Sequence, residues 1–334
     1  AKRHIMLSAV VGVDVRDVYS LSGSNTATIP TRANGTTPYT GVYLLSNREG
    51  KKGFSYNFVT TLDKSWDNNW AFNANYSFGN SIVINEGTSS QNNSQWRFME
   101  AVNGRNKIDR STSDFDPGHR VNAYLSKKFT YLNKKLATTI SLVYNGQSGN
   151  PYSYVLNRGL IRDLDNFETN DLIFIPTTAQ LQQMVFLSNT TGGVTYTPQQ
   201  QRDLFDAFIE GDKYLRNHRG QYAERNGART PFTHILDLKI QQDLNLKFGN
   251  RTYQLQISYD IFNFTNFISR NAGKQYFATN DQSIILDFTG YVSSTNLTPQ
   301  YRFTPPKDGR TYNISDGDFN SSRWTSQLRI RLSF

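Results

Sequence analysis

Cysteine is absent from the 334 residues. Disulfides, thiolate-held zinc, iron–sulfur clusters and cysteine nucleophiles are therefore excluded together. Histidine is scarce. His4, His119, His218 and His234 stand far apart, with no i, i+4 pair and no His-Glu-x-x-His, so a histidine-held metal centre has no basis. No Gly-x-Ser-x-Gly elbow, Ser-x-x-Lys motif or glycine-rich phosphate loop occurs, and no catalytic set emerges. No apolar run approaches the roughly 18 residues that a spanning helix needs, and mean hydropathy is −0.59.

Low hydropathy is compatible with crossing a membrane by strands, because half of each strand is then polar. The 19 Tyr and 22 Phe favour strands and suit interfacial girdles. The net charge of +9 is spread along the chain in short pairs, Lys127-Lys128 and Lys134-Lys135 among them, with no longer run of Lys and Arg. This reads against a nucleic-acid partner. In a barrel such residues line a lumen or face headgroups.

The clearest pattern lies between Ile235 and Phe264. Leu236, Leu238, Ile240, Leu244, Leu246 and Phe248 alternate with Asp237, Lys239, Gln241, Asp243, Asn245 and Lys247. Gly249-Asn250 follows, and then Tyr253, Leu255, Ile257, Tyr259 and Ile261 alternate with Gln254, Gln256, Ser258 and Asp260. A period of two gives each strand one apolar and one polar face, and the tight turn makes a hairpin. Both runs exceed the soluble average of about 5–6 residues and reach the 9–11 that a tilted strand needs to cross a bilayer.

The same alternation predicts strands over about 3–20, from Phe54, from Trp70, from Val121 to Tyr131, from Leu136 to Tyr144, and from Trp324 to Phe334. An additional strand is expected near Ile284–Val292. Short turns fall at Asp67-Asn68-Asn69 and Asn133-Lys134-Lys135. Long polar connections cover 22–50, 85–118, 157–231 and 267–321. Within the third of these, Pro198 to Gly211 reads as a helix with Leu204, Phe205, Phe208 and Ile209 on one side. Short and long connections alternate strictly, as in transmembrane barrels with short periplasmic turns and long extracellular loops. The expected fold is an all-β antiparallel transmembrane barrel, with Leu236, Leu238, Ile240, Leu255 and Ile257 facing lipid. Asp237, Lys239, Gln241, Asp243, Gln254 and Gln256 then face a lumen.

Several segments resemble the C-terminal barrel half of TonB-dependent outer-membrane receptors, of the Oar-like kind found in Bacteroidetes. They are Asp116-Pro-Gly-His119-Arg120-Val121, Asn170-Asp171-Leu-Ile-Phe-Ile-Pro176, Tyr214-Leu215 with Arg219-Gly220-Gln-Tyr222-Ala-Glu224-Arg225-Asn226, Tyr259-Asp-Ile-Phe262-Asn263-Phe264-Thr-Asn266-Phe267, and Arg329-Ile-Arg-Leu-Ser-Phe334. The resemblance implies a 22-stranded barrel, of which this chain holds about the last eight strands. It also implies a plug domain that the chain lacks, an energising inner-membrane TonB complex reached through that missing part, and a bacterial outer-membrane location. Ala1-Lys2-Arg3-His4 leads straight into strand-like residues, which reads as a start inside a larger protein.

Phe334 then looks like the terminal signal read by the barrel-assembly machinery. Trp96, Tyr152, Tyr154, Tyr214 and Tyr222, in or beside the long loops, are candidates to grip a ligand, and loop packing is their other reading. Asp163, Asp165 and Asp171 concentrate oxygen ligands for a structural calcium without matching an EF-hand. No cofactor is otherwise expected, and surface lipoproteins are candidate partners. Two other functions stay open: a structural or assembly subunit of a surface or secretion complex, and a self-contained small barrel acting as an adhesin.

Overall fold

The computed structural model describes residues 50, 52–91, 94–95, 98–102, 108–157, 169–249, 251–293, 296, 298–315 and 322–333. The expected strand over 3–20 and the residues Trp96, Asp163, Asp165 and Phe334 lie outside this set. Seven long antiparallel strands make the main sheet: β1 (Phe54–Ser65), β2 (Trp70–Val83), β3 (Gly118–Tyr131), β4 (Leu136–Gln147), β5 (Thr233–Phe248), β6 (Arg251–Phe262) and β7 (Thr325–Ser333). Their order in the sheet is their order in the chain, and the two-residue strand Ser111–Thr112 extends the sheet beside the end of β2. The strands run 9 to 16 residues, longer than most strands of soluble sheets. The alternation read from the sequence sets this length, since a one-residue slip would exchange the two faces.

Short turns at 66–69, at 132–135 and at Gly249 lie at one end of the sheet. Gly249 takes φ +59 there, in the left-handed region that a hairpin turn needs. The described residues of the long connections 84–117, 148–232 and 263–324 lie at the other end. The sheet is antiparallel throughout. Among the described residues β1 and β7 are its two edges, and no pairing joins them.

Cross-strand register fixes the two faces. Leu238 sits between Leu142 and Ile261, Ile240 between Ile140 and Tyr259, and Leu244 between Leu136 and Leu255. Leu125 and Phe72 continue the Leu142 row, and Ile330 continues that of Ile257. This apolar face is open: Phe58 is 58% exposed, Leu328 64% and Ile330 65%. Gln242 interrupts it. Its Oε1 accepts hydrogen bonds from Tyr131 Oη (2.9 Å) and Thr138 Oγ1 (2.6 Å), which share its face. The six polar residues Asp237, Lys239, Gln241, Asp243, Gln254 and Gln256 share the opposite face, as expected. There Gln241 and Gln256 donate to Asp243 at 3.1 and 2.9 Å, and Lys239 lies 3.8 Å from Asp260.

The long connections are not independent loops. They fold together into a cap with a hydrophobic core of its own. Pro151–Asn157 lies in a five-stranded sheet between Ala228–Arg229 and Gln282–Tyr291, and that sheet continues through Pro299–Arg302 to Val185–Phe186. The expected strand near 284–292 is present, yet it pairs in parallel with Pro151–Asn157 rather than joining the main sheet. A strand covered on both faces becomes continuously apolar, and Pro151 through Leu156 are all buried.

Helix α1 (Pro198–Gly211) has the bounds read from the sequence. Thr197 caps it, with Gln200 completing the capping box and Pro198 at its start. It buries Phe205 and Ile209, whereas Leu204 points outward. Gln201 takes the inward position, fully buried, donating to Leu187 O (2.7 Å) and Tyr196 O (3.1 Å) and accepting from the Phe303 N–H (2.9 Å). Asp212 caps the short helix α2 (Lys213–Asn217) and also accepts the Tyr154 hydroxyl at 2.8 Å.

Candidate functional site

The cap carries a polar groove on its surface. One cavity of about 370 Å³ is lined by Glu86, Phe98, Glu100, Asp114, Arg225 and Asp281 with amide and hydroxyl side chains around them. A second hollow of about 330 Å³ shares Thr169, Asn280 and Gln282 with it and reaches Arg310, Tyr312 and Asn313. Three separate connections build this lining. Residues 85–100 and 114 come from the first, Thr169 and Arg225 from the second, and 279–313 from the third.

Arg225 is the fixed point of the groove. It is buried, and its guanidinium donates to Ile84 O (3.0 Å) and Val83 O (3.1 Å), so the end of β2 holds it. The neighbouring Asn226 donates to Thr112 O (2.9 Å) and to Asp114 (2.6 Å). Glu86 accepts from the Ser113 hydroxyl (2.8 Å) and the Asp114 N–H (2.9 Å), and Gln282 donates to Glu100 (2.8 Å). Burial lowers the Arg225 pKa from its ordinary value, while Glu100, Glu86 and Asp114 push it back up. Burial raises the Glu100 carboxyl above the usual range, opposed by the Gln282 hydrogen bond and by Arg225. Asp281 is raised as well, by burial first and then by Asp114.

A carboxyl raised in the folded state holds its proton where the unfolded chain has lost it. Stability from Glu100 is therefore present below its ordinary pKa and declines as pH rises toward the raised folded value. Glu100→Gln keeps an acceptor for Gln282 and removes the charge. The variant is expected to be more stable than the parent at neutral pH, with a flatter slope of stability above the ordinary carboxylate range. Hydrogen exchange of the cap amides against pH measures this, and identical slopes in the two proteins would refute it.

Chemically, the groove offers amides, hydroxyls and carboxylates beside the half-exposed ring of Phe98. Such a set holds a polar ligand by hydrogen bonds and ring contact. No histidine stands among the described lining residues to act as a base.

The ligand-gripping aromatics read from the sequence require correction. Tyr152 and Tyr154 are core residues, 2% and 0% exposed. Their hydroxyls are spent on each other (3.1 Å) and, for Tyr152, on Thr311 (2.7 Å). Burial raises both phenol pKa values. Tyr214 stacks on Tyr154 and His218, and its oxygen accepts the Glu224 N–H at 2.8 Å, with burial lifting its pKa to about 12. Tyr222 packs edge-on against Phe174. The connections fold on one another, and that consumes these rings. Asp171, read as a calcium ligand, is fully buried, and its carbonyl accepts the Leu156 N–H at 2.9 Å. Among the described residues no three acidic or histidine side chains are placed to hold a metal ion.

The groove residues missed by the sequence reading are Glu100, Asn280, Gln282 and Tyr312. Glu100 precedes the other three by at least 180 residues, and no spacing rule links them. Other motif residues have structural duties. Asp116 is buried and accepts from the Ser81 and Gly118 N–H groups (2.6 and 3.0 Å) and from Arg229, tying the start of β3 to the cap. Asn263 takes φ +54 after β6, and its side chain donates to Gly273 O and Ser322 O while Asp237 accepts its backbone N–H. Comparison with protein-family models, with curated proteins and with solved structures gave no match.

Proposed function

We propose that the chain is part of the β-barrel of an outer-membrane TonB-dependent receptor of Oar-like type, in which the capped end captures a polar ligand. The observation that carries this reading is the open apolar face of the main sheet. Large exposed apolar faces mark contact with a partner or a membrane. From Phe54 to Lys64 this face spans eleven residues of β1, ten steps of about 3.3 Å, which is about 33 Å along the strand and about 25 Å when tilted. That matches the height of a barrel's apolar band. Aromatic side chains stand at both ends of the band: Tyr76, Phe78 and Tyr144 toward the cap, Trp70, Phe129 and Tyr131 toward the short turns. With the short turns in the periplasm, the cap lies outside the cell and its groove meets ligand first. The polar face lines a lumen, and passage through it follows displacement of a plug by the TonB complex. No helix among the described residues is long and apolar enough to span a membrane.

The test is fractionation of native cells followed by the intact mass of the protein. Recovery in the outer-membrane fraction, resistant to alkaline extraction, with a mass tens of kilodaltons above 38.1 kDa, supports a plugged receptor. Recovery from the soluble fraction overturns the membrane reading. A mass equal to that of the chain overturns passage through a plugged lumen.

A further inference from the structure

The two rims of the apolar face differ in chemistry. Toward the cap the face carries two aromatic–histidine pairs. Tyr76 Oη lies 2.8 Å from His119 Nδ1 and Tyr144 Oη 2.7 Å from His234 Nδ1, with Phe78 and Phe232 against the two imidazoles. Arg110 lies over Phe54 at the same rim.

Toward the short turns the rim is basic. Lys64 and Lys127 share the apolar face: Lys64 pairs with Phe72, and Lys127 lies between Trp70 and Ile140. Lys134 and Lys135 occupy the turn between β3 and β4, both exposed. Lys127 runs back along the wall rather than across it. Its ammonium donates to Asn68 O in the first turn and lies 5.3 Å from the Trp70 ring centre and 5.6 Å from that of Phe129. A lysine whose stem covers apolar surface while its head reaches the rim is in the snorkelling position. The acids of this end are Asp67 in the turn, and Asp63 and Asp243 on the polar face. Two lysines on the apolar face and two in the adjacent turn therefore stand at this rim with one turn carboxylate, Asp67, while Asp63 and Asp243 face the other way.

We propose that this rim binds the anionic headgroups of phospholipids in the leaflet at the short-turn end. The inference rests on the membrane reading above and names a partner for that surface. A free anion would be held by the charges alone. Here the charges stand directly below an apolar, aromatic-edged wall, so the phosphate they meet belongs to a lipid whose tails cover that wall. Each lysine near an anionic surface strengthens association by about 1 kcal/mol, roughly fivefold, and the effect fades with salt.

The test uses the complete native protein folded into vesicles of phosphatidylcholine, alone or mixed with phosphatidylglycerol, at low and at molar salt. The mixed vesicles are expected to move the urea midpoint upward at low salt only. The variant with Lys64, Lys127, Lys134 and Lys135 all changed to glutamine loses most of that gain. Lys134→Gln/Lys135→Gln, which changes two exposed side chains of a turn that bonds to β5 through its backbone carbonyls, loses about half and serves if the fourfold variant does not fold. A gain of equal size in the variants, or no gain in the parent, overturns the headgroup site and leaves the membrane reading standing. Failure of the parent to insert into either vesicle overturns the membrane reading itself.

Discussion

Leu238→Arg is expected to destabilise the folded protein in a bilayer by about 2–4 kcal/mol, the range for a cation near the midplane of a barrel's lipid face. Leu238 stands in the middle of the apolar row Ile261, Leu238, Leu142, Leu125 and Phe72. The control is Gln241→Arg, three residues on and facing the other way. Gln241 shares its side with Asp243 and Ser258, where a cation stays among polar partners, and the change is expected to stay within about 1 kcal/mol. Urea unfolding of both variants in phosphatidylcholine vesicles separates the two positions. Equal costs would remove the distinction between a lipid face and a lumen face, and a cost at Gln241 alone would invert it.

Phe205→Ala is expected to cost the cap about 3–5 kcal/mol, the usual loss when a buried phenylalanine is truncated. Phe205 is fully buried, with ring centres 4.9 Å from Phe303 and 6.4 Å from Phe186. These partners come from two other parts of the cap, so the vacancy opens where the helix meets the small sheet. The loss is expected to be local. Limited proteolysis should cut within 169–229 far faster than in the parent, while β1 to β7 keep their protection. Unchanged cleavage would mean that the cap does not depend on this core. Loss of the groove's ligand in the same variant would tie binding to the folded cap.

The main sheet was legible because its physics is local. Each of the seven described strands needs a greasy and a wet side, and a period of two records this residue by residue. Turns at Asn69 and Gly249 and the capping box of α1 are local signals as well. Gln242 was the exception within the organising hairpin. Its parity places it on the apolar face, and only the structure shows Tyr131 and Thr138 arriving from neighbouring strands to satisfy it. The cap was not legible as a unit. Its parallel pairing joins 151–157 to 282–291, and nothing in either segment names the other. A clue was present in the run Tyr152 to Leu156, too continuously apolar for a surface loop. Its tyrosines read either as loop packing or as ligand contacts, and aromatic character alone does not separate the two; burial of Tyr152 and Tyr154 gives them the packing role. The groove was the least legible part, since Arg225 and Glu100 gain their meaning from a cavity assembled out of three connections.

Folding order follows from the way the cap is stitched. β1–β2, β3–β4 and β5–β6 are joined by short turns, so each of these hairpins can form as soon as its own residues are free, with little loop entropy lost, whereas pairing one hairpin with the next closes a long connection. Pro151–Asn157 precedes the β5–β6 hairpin, and its partner Gln282–Tyr291 follows it. The two meet only after β4, β5 and β6 have aligned to bring both segments to the same end. The cap is thus a late event, conditional on a finished wall. A chain stalled midway would present β-structure with an unassembled groove.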